Sequence, residues 1–418
     1  LPEPAAGLPE PAAALPEPAA LLPDSPAGSV REVFVAFLKL GLTAFGGPVA
    51  HLGYFREAFV ARRRWIDEAA YADLVALCQF LPGPASSQVG FALGILRAGS
   101  LWGGLAAFAG FTLPSALILV GIAYGAGSGG PMLAGLLHGL KLVAVAVVAQ
   151  AVWGMARTLA PDPMRAGIAL GALWLAVLAP TAFGQVGAIG FGAVAGIVLC
   201  RAMAPTPVGH LSVPLSRRTG TVALTLFLGL LVGLPILATW LPSQGIAVVD
   251  AFYRAGALVF GGGHVVLPLL RAGTVDPGWI GADAFLAGYG AAQAVPGPLF
   301  TFAAYLGAAL KPPPNGFPGA ALALAAIFLP GLLLVTGALP FWDELRRKPL
   351  AQAALRGGNA AVVGLLAAAL YDPVWTGAIG SARDVALAAT AFVLLTVGGV
   401  APWIVVGLTA LGGLALGG

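Results

Sequence analysis

Four cationic side chains, Lys39, Lys141, Arg254 and Arg356, stand inside runs of apolar residues. A cation at bilayer depth costs at least about 2.5 to 3.5 kcal/mol on insertion scales, so each needs a partner or a task. They fall into two pairs. Phe37-Leu38-Lys39-Leu40-Gly41 aligns with Phe252-Tyr253-Arg254-Ala255-Gly256, and Lys141 aligns with Arg356, both at an interval of 215 residues. Glycine and proline break the apolar runs in phase with them. Phe45-Gly46-Gly47 recurs as Phe260-Gly261-Gly262, and Gln79, Pro82, Gly83 and Pro84 recur as Gln293, Pro296, Gly297 and Pro298. Gly83-Pro84 and Gly297-Pro298 read as helix starts, with Gly at the cap and Pro at the first helical position, where its missing N–H costs nothing. The free N–H groups then belong to Ala85, Ser86 and Ser87, and to Leu299, Phe300 and Thr301. Gly47-Pro48 and the triple glycine at 261–263 open two further starts. Each helix N-terminus carries about half a positive charge and a set of unpaired donors. With the four cations, this suits a small, doubly charged oxyanion.

Ser86, Ser87, Thr301, Gln79 and Gln293 add hydrogen-bonding groups, each of which also serves as an ordinary cap or packing residue; Tyr305 reads both ways too. His51, directly after the first break, and His138, one turn before Lys141, are candidates for proton coupling, although a satisfied core histidine is the commoner case. The same holds for His264, while His210 reads as a loop residue and Glu57 and Asp73 as partners of the Arg56 to Arg64 cluster. The plain alternative for the cations is that they snorkel to an interface or neutralise buried carboxylates. Acidic partners are scarce in these segments, which argues against the second.

The elements that must hold these groups are membrane helices. Residues are 59% hydrophobic and 9% charged, with a mean hydropathy of +0.93, a balance that no water-soluble core of this size needs. The runs lack the ten-residue alternation of barrel strands, so the expected fold is an all-α integral membrane protein. Nucleic acid is excluded as a partner, because the basic residues are spread over short loops; the lipid bilayer is the expected one. Cys78 and Cys200 are too few for a disulfide framework or a metal site. No cofactor or metal is implied, and a homodimer stays an open alternative.

Residues 1–30 repeat LPEPAA every seven positions and read as a disordered or semi-rigid Pro-rich tail rather than a signal peptide. A first repeat spans 31–203, a linker with one extra helix 204–245, and a second repeat 246–418. Four elements are broken, near 33–60, 68–97, 250–270 and 283–310. Unbroken apolar segments lie near 101–126, 132–156, 166–180, 185–203, 219–241, 317–340, 350–371, 384–398 and 400–417. The segment at 219–241 has no counterpart in the first half, and it inverts the second half whether all four broken elements cross the bilayer or all four re-enter; a mixed arrangement leaves the halves parallel.

Charge chooses between the two inverted forms. With re-entrant hairpins, Arg31, Arg56, Arg62, Arg63, Arg64, Arg97, Arg157, Arg165, Arg201, Arg217, Arg218, Arg346, Arg347 and Lys348 share one face, against Arg271, Lys311 and Arg383 on the other. The positive-inside bias makes the first face cytoplasmic. Two inverted halves with re-entrant broken helices are therefore expected.

At these residues the chain resembles the chromate ion transporter family. The resemblance rests on Phe45-Gly46-Gly47-Pro48-Val49-Ala50-His51, on Gln79-Phe80-Leu81-Pro82-Gly83-Pro84 and on the Arg62-Arg63-Arg64-Trp65 run, and it covers residues 31 to about 415. The second copy departs from the pattern, with Gly263 in place of the proline and the histidine at 264, so the halves are not equivalent. The resemblance implies export of chromate across a bacterial cytoplasmic membrane, with sulfate as the chemical look-alike, by a transporter of up to thirteen spans. Alternating access between the halves would carry it. The rivals are a sulfate or other oxyanion importer or exchanger, an anion channel, and an embedded reductase. The last lacks any nucleophile, metal cluster or cofactor fingerprint in the sequence, so an enzyme is not expected.

Overall fold

The computed structural model describes residues 28–44, 47–126, 131–179, 182–201, 213–259, 266–345 and 348–415. The LPEPAA tail, Gly46, the triple glycine at 261–263, His210 and His264 lie outside the described residues. Among those described, regular structure is helical throughout.

The first repeat comprises α1 (Val30–Thr43), α2 (Gly47–Phe55) with a wide π turn (Arg56–Arg62), α3 (Glu68–Phe80), α4 (Ala85–Ala98), α5 (Leu101–Ala126), α6 (Pro131–Leu159), α7 (Pro163–Leu178) and α8 (Ala182–Leu199). After α9 (Arg217–Trp240) the series recurs. It runs α10 (Gln244–Ala257), α11 (Val266–Thr274), α12 (Ala282–Ala294), a 3₁₀ turn (Leu299–Thr301) into α13 (Phe302–Ala309), and α14 (Gly316–Ala338). A short α15 (Trp342–Leu345) leads to α16 (Pro349–Ala369), and α17 (Thr376–Ala378), α18 (Ala382–Thr396) and α19 (Pro402–Ala415) complete the chain.

Length sorts these helices. Among the described residues, five segments are long and apolar enough to cross a membrane: Leu101–Gly125, His138–Arg157, Arg217–Trp240, Gly316–Phe341 and Pro349–Ala378. By contrast α1 has 14 residues and α3 has 13. At 1.5 Å per residue they reach about 20 Å, well short of a hydrocarbon core of about 30 Å. Local chemistry fixes where several helices begin. The side chains of Ser29, Asp67, Asp162, Ser216 and Ser381 each accept a backbone N–H in the first turn of α1, α3, α7, α9 and α18.

The ends of the short helices gather in two places. The carbonyl of Arg97, at the end of α4, accepts the Gly28 N–H at 2.9 Å. Its guanidinium pairs with Glu32 of α1 at 3.2 Å and lies 5.4 Å over the Trp65 ring beyond α2. In the second repeat, Lys311 N–H after α13 donates to the carbonyl of Trp279 beyond α11 at 2.8 Å. Gly245 of α10 sits beside Pro314 in the same place. Helix α5 leads from the first gathering to the second, because its Tyr124 ring lies 5.7 Å from that of Phe317 at the start of α14.

Packing respects the repeat. α1 and α4 pack on α5, and α10 and α13 pack on α14. The remaining helices exchange partners, with α6 against α18 and α19 and α16 against α7 and α8. Glycine permits the close crossings. A Cβ on Gly139 would strike the backbone at Thr409 and Ala410, and one on Gly357 the backbone of Gly192 and Gly196. Each repeat has its own aromatic core, around Phe37, Phe55, Phe59 and Phe111 in the first, and around Phe285, Tyr289, Phe302 and Tyr305 in the second.

Candidate functional site

Each Pro-Gly-Pro break is bonded to the opposite repeat. Gly83 N–H donates to the carbonyl of Val259, just past the end of α10, at 2.6 Å; Gly297 N–H donates to the carbonyl of Ala44, at the end of α1, at 2.9 Å. These are the same two positions in the two copies, exchanged. Both glycines have positive φ, +122° and +100°, where L side chains are strained. A Cβ on Gly83 would lie 2.9 Å from Gln88 Nε2 and 3.2 Å from Gly331 Cα in α14, and one on Gly297 would lie 2.8 Å from Ser115 Oγ in α5. The breaks are thus wedged against each other's half.

The helix starts are shifted by one residue from the sequence expectation. Pro84 is the cap of α4, at φ −76° and ψ 87°, and Ala85 is its first helical residue. A ψ of that value is not helical, so the proline cannot open the helix. No side chain caps this start, and Ser86 and Ser87 lie buried in its first turn. The second copy opens instead as a 3₁₀ turn after Pro298. There the Thr301 N–H and hydroxyl both donate to the Pro298 carbonyl, at 3.0 and 2.6 Å. Thr301 is therefore not the free donor the sequence suggests.

Polar side chains collect at the first copy. His51 is 1% exposed; its Nδ1 lies 3.4 Å from Ser86 Oγ and its ring stands edge-on to Phe111 at 5.1 Å. Gln88, fully buried, donates through Nε2 to the carbonyls of Pro82 (2.9 Å) and of Gly331 in the other repeat (3.1 Å). His51 Nε2, Ser87 Oγ, Gln88 Oε1 and Thr112 Oγ1 are all buried without a protein hydrogen-bond partner. Each such group costs about 1–3 kcal/mol, so several at one uncapped helix start call for a ligand or water. In the second copy Phe300, Thr301 and Phe302 replace Ser86, Ser87 and Gln88. Gln88 and Thr112 were not foreseen, since a lone polar residue in an apolar run has no spacing signal.

The cations are arranged otherwise than the sequence suggests. Acidic partners do exist: Arg254 pairs with Asp250 one turn earlier at 2.5 Å, and Lys141 pairs with Asp283 at the start of α12. Arg356 donates to the Cys200 carbonyl at 3.5 Å and to Gln352 at 3.4 Å. Lys39 is exposed on α1, and no ion pair is found for it among the described residues. His138 bonds Asp384 of α18 at 2.7 Å, on helices other than those that hold His51. Gln79 is exposed on α3, whereas Gln293 is half-buried with its Nε2 unpartnered. Gly47 starts α2 at φ +79° with open space around it. Cys78 and Cys200 are buried free thiols.

A family model for chromate transporters matches residues 31–198 and 246–414, one match in each repeat. Among curated proteins, a probable chromate transport protein of Synechococcus elongatus is 30% identical over 352 residues, covering 82% of this chain and 84% of that protein. Chromate transport proteins of Pseudomonas aeruginosa (28%, covering 83% and 82%) and Cupriavidus metallidurans (27%, covering 83% of each) are similar over comparable spans. No solved structure gives a significant match. With five helices of membrane-crossing length, this is a multi-pass membrane protein, and the chain belongs to the chromate transporter family.

Proposed function

We propose that the chain exports chromate from the bacterial cytoplasm as a secondary transporter, binding the oxyanion at the N-terminus of α4 between two inverted repeats. The carrying observation is the exchanged pair of contacts, Gly83 to Val259 and Gly297 to Ala44. They bring an uncapped helix start, its Ser86 and Ser87 and the neighbouring His51 to the seam between the halves. Helix N-termini of this kind, at breaks near the midplane, are where anions bind in repeat-built transporters. Lys141 and Arg254 already hold carboxylates and Lys39 is exposed, so the field at the site comes from the helix end.

Inversion and re-entry of the broken helices draw support from the helix ends. Both ends of the α1–α2 and α3–α4 hairpins lie near Arg97, Glu32 and Trp65, and those of α10–α13 near Trp279, Lys311 and Pro314. With α5 connecting the two places, hairpins enter and return on opposite faces. Expulsion needs no coupling cation. Moving a divalent anion across 100 mV is worth about 4.6 kcal/mol, twice the roughly 2.3 kcal/mol per charge, in the direction out of a negative interior.

In proteoliposomes of known orientation, labelled chromate is expected to leave the negative, arginine-face side with saturable kinetics and to be competed by sulfate. Flux that rises linearly with concentration would mean a channel. Cation-driven flux into the negative side would mean an importer.

A further inference from the structure

The two repeats carry the same helices but not the same contacts. Helix α11 packs on α8 and α16, and α12 packs on α5, α6 and α19. Their counterparts α2 and α3 pack on α4 and on the π turn between them; among the described residues neither meets α6, α8, α16 or α19 to that extent. Burial repeats the difference. Leu286 and Tyr289 of α12 are 1% and 0% exposed, whereas Ala72 and Val75, at their places in α3, are exposed and half-buried. Among the described residues, α12 is thus packed against the other repeat from its start, on the Trp279 and Lys311 side, which we take as the closed side, while α3, on the arginine-rich side, is not.

An ion pair joins α6 to α12 on the closed side, one turn from the His138–Asp384 pair of α6 and α18. Lys141 of α6 binds Asp283 in the first turn of α12, across the repeats. Carried over by the repeat interval, Lys141 becomes Arg356 of α16, and Asp283 falls next to Glu68 at the start of α3. Glu68 is engaged by Arg56 at 2.6 Å instead, and Arg356 lies against Cys200 and Gln352. We propose that Lys141–Asp283 is the outer gate, and that Arg356–Glu68 is the inner gate, formed when α3 docks on α16 and α12 leaves α6. The inference rests on the alternating-access reading above. Asp283 is 80% exposed and Glu68 58%, so both pairs are weak enough to be exchanged in each cycle. Lys141 and Arg356 are on this account gate residues, not ligands of the anion.

The test uses the full chain with Cys78→Ala and Cys200→Ala, carrying either Lys141→Cys with Asp283→Cys or Glu68→Cys with Arg356→Cys. A short linker joined through reducible bonds is applied in proteoliposomes, and chromate flux is measured on the same preparation. Both pairs are expected to cross-link, added chromate to shift their yields in opposite directions, and each cross-link to stop flux until it is reduced. In a separate chain, Arg356→Glu is expected to lose most of the flux and Glu68→Lys to restore it. The proposal is overturned if the Glu68 and Arg356 cysteines never join in a preparation that retains measurable chromate flux, or if both pairs join fully without loss of flux. Alternating cross-links without any chromate flux would support the gates and sink the substrate reading alone.

Discussion

Gly83→Ala is expected to reduce chromate flux to background. At φ +122° a Cβ brings backbone strain of about 1–3 kcal/mol, and it also meets Gln88 Nε2 at 2.9 Å and Gly331 Cα at 3.2 Å. Gln88 has little room to yield, because it is held by the Pro82 and Gly331 carbonyls. The loop must therefore move, and with it the Gly83 N–H bond to Val259 and the first turn of α4. A shift of this size at a helix start changes where its N–H groups point, so the loss falls on flux more than on folding. Gly121→Ala, in α5 with open space around it, is the control and is expected to transport normally. Flux normalised to incorporated protein decides the matter. Wild-type flux from inserted Gly83→Ala would remove the exchanged contact from the mechanism.

Arg254→Ala is expected to damage the fold before it tells anything about anions. Asp250 is 6% exposed, and removing its cation leaves a buried carboxylate unpaired. Breaking a fully buried pair in this way costs about 3–5 kcal/mol; with the Arg254 side chain 35% exposed, the loss belongs at or below the lower end. Asp250→Asn with Arg254→Gln removes both charges and keeps the shape. That double variant is expected to recover near-wild-type thermal stability in detergent and to transport chromate close to wild type, because Asp250 already balances the charge of Arg254. If the single variant melts with wild type, the pair does not hold α10.

The duplication was legible because both copies keep the residues that break a helix. Gly and Pro have few substitutes where φ is positive or a backbone must approach another, so Gly83 and Pro84 still align with Gly297 and Pro298. That the described elements are helical followed from composition and from apolar runs without strand alternation. What the sequence did not disclose depends on contacts distant in the chain. Asp283 lies 142 residues from the Lys141 it neutralises, and no local pattern joins them. Asp250 was within reach, four residues before Arg254, but its side chain is as rare in such a segment as the cation it serves. The crossing of each break onto the opposite repeat arises only in tertiary packing. So does the meeting of His51 of α2 with Ser86 of α4, beside Ser87 and Gln88, whose unpartnered polar atoms mark the place in the structure. The sequence already marked the halves as unequal at Gly263 and His264, and Phe300 and Phe302 carry that inequality into the first turn after the second break.

The most direct measurement is the position of chromium in crystals of the protein with chromate, located by anomalous scattering at the chromium edge. The account predicts one strong peak within hydrogen-bond reach of the Ser86 and Ser87 backbone N–H groups, close to His51. A peak confined to the Arg62 to Arg64 cluster, or placed equally at the two Pro-Gly-Pro breaks, would contradict it.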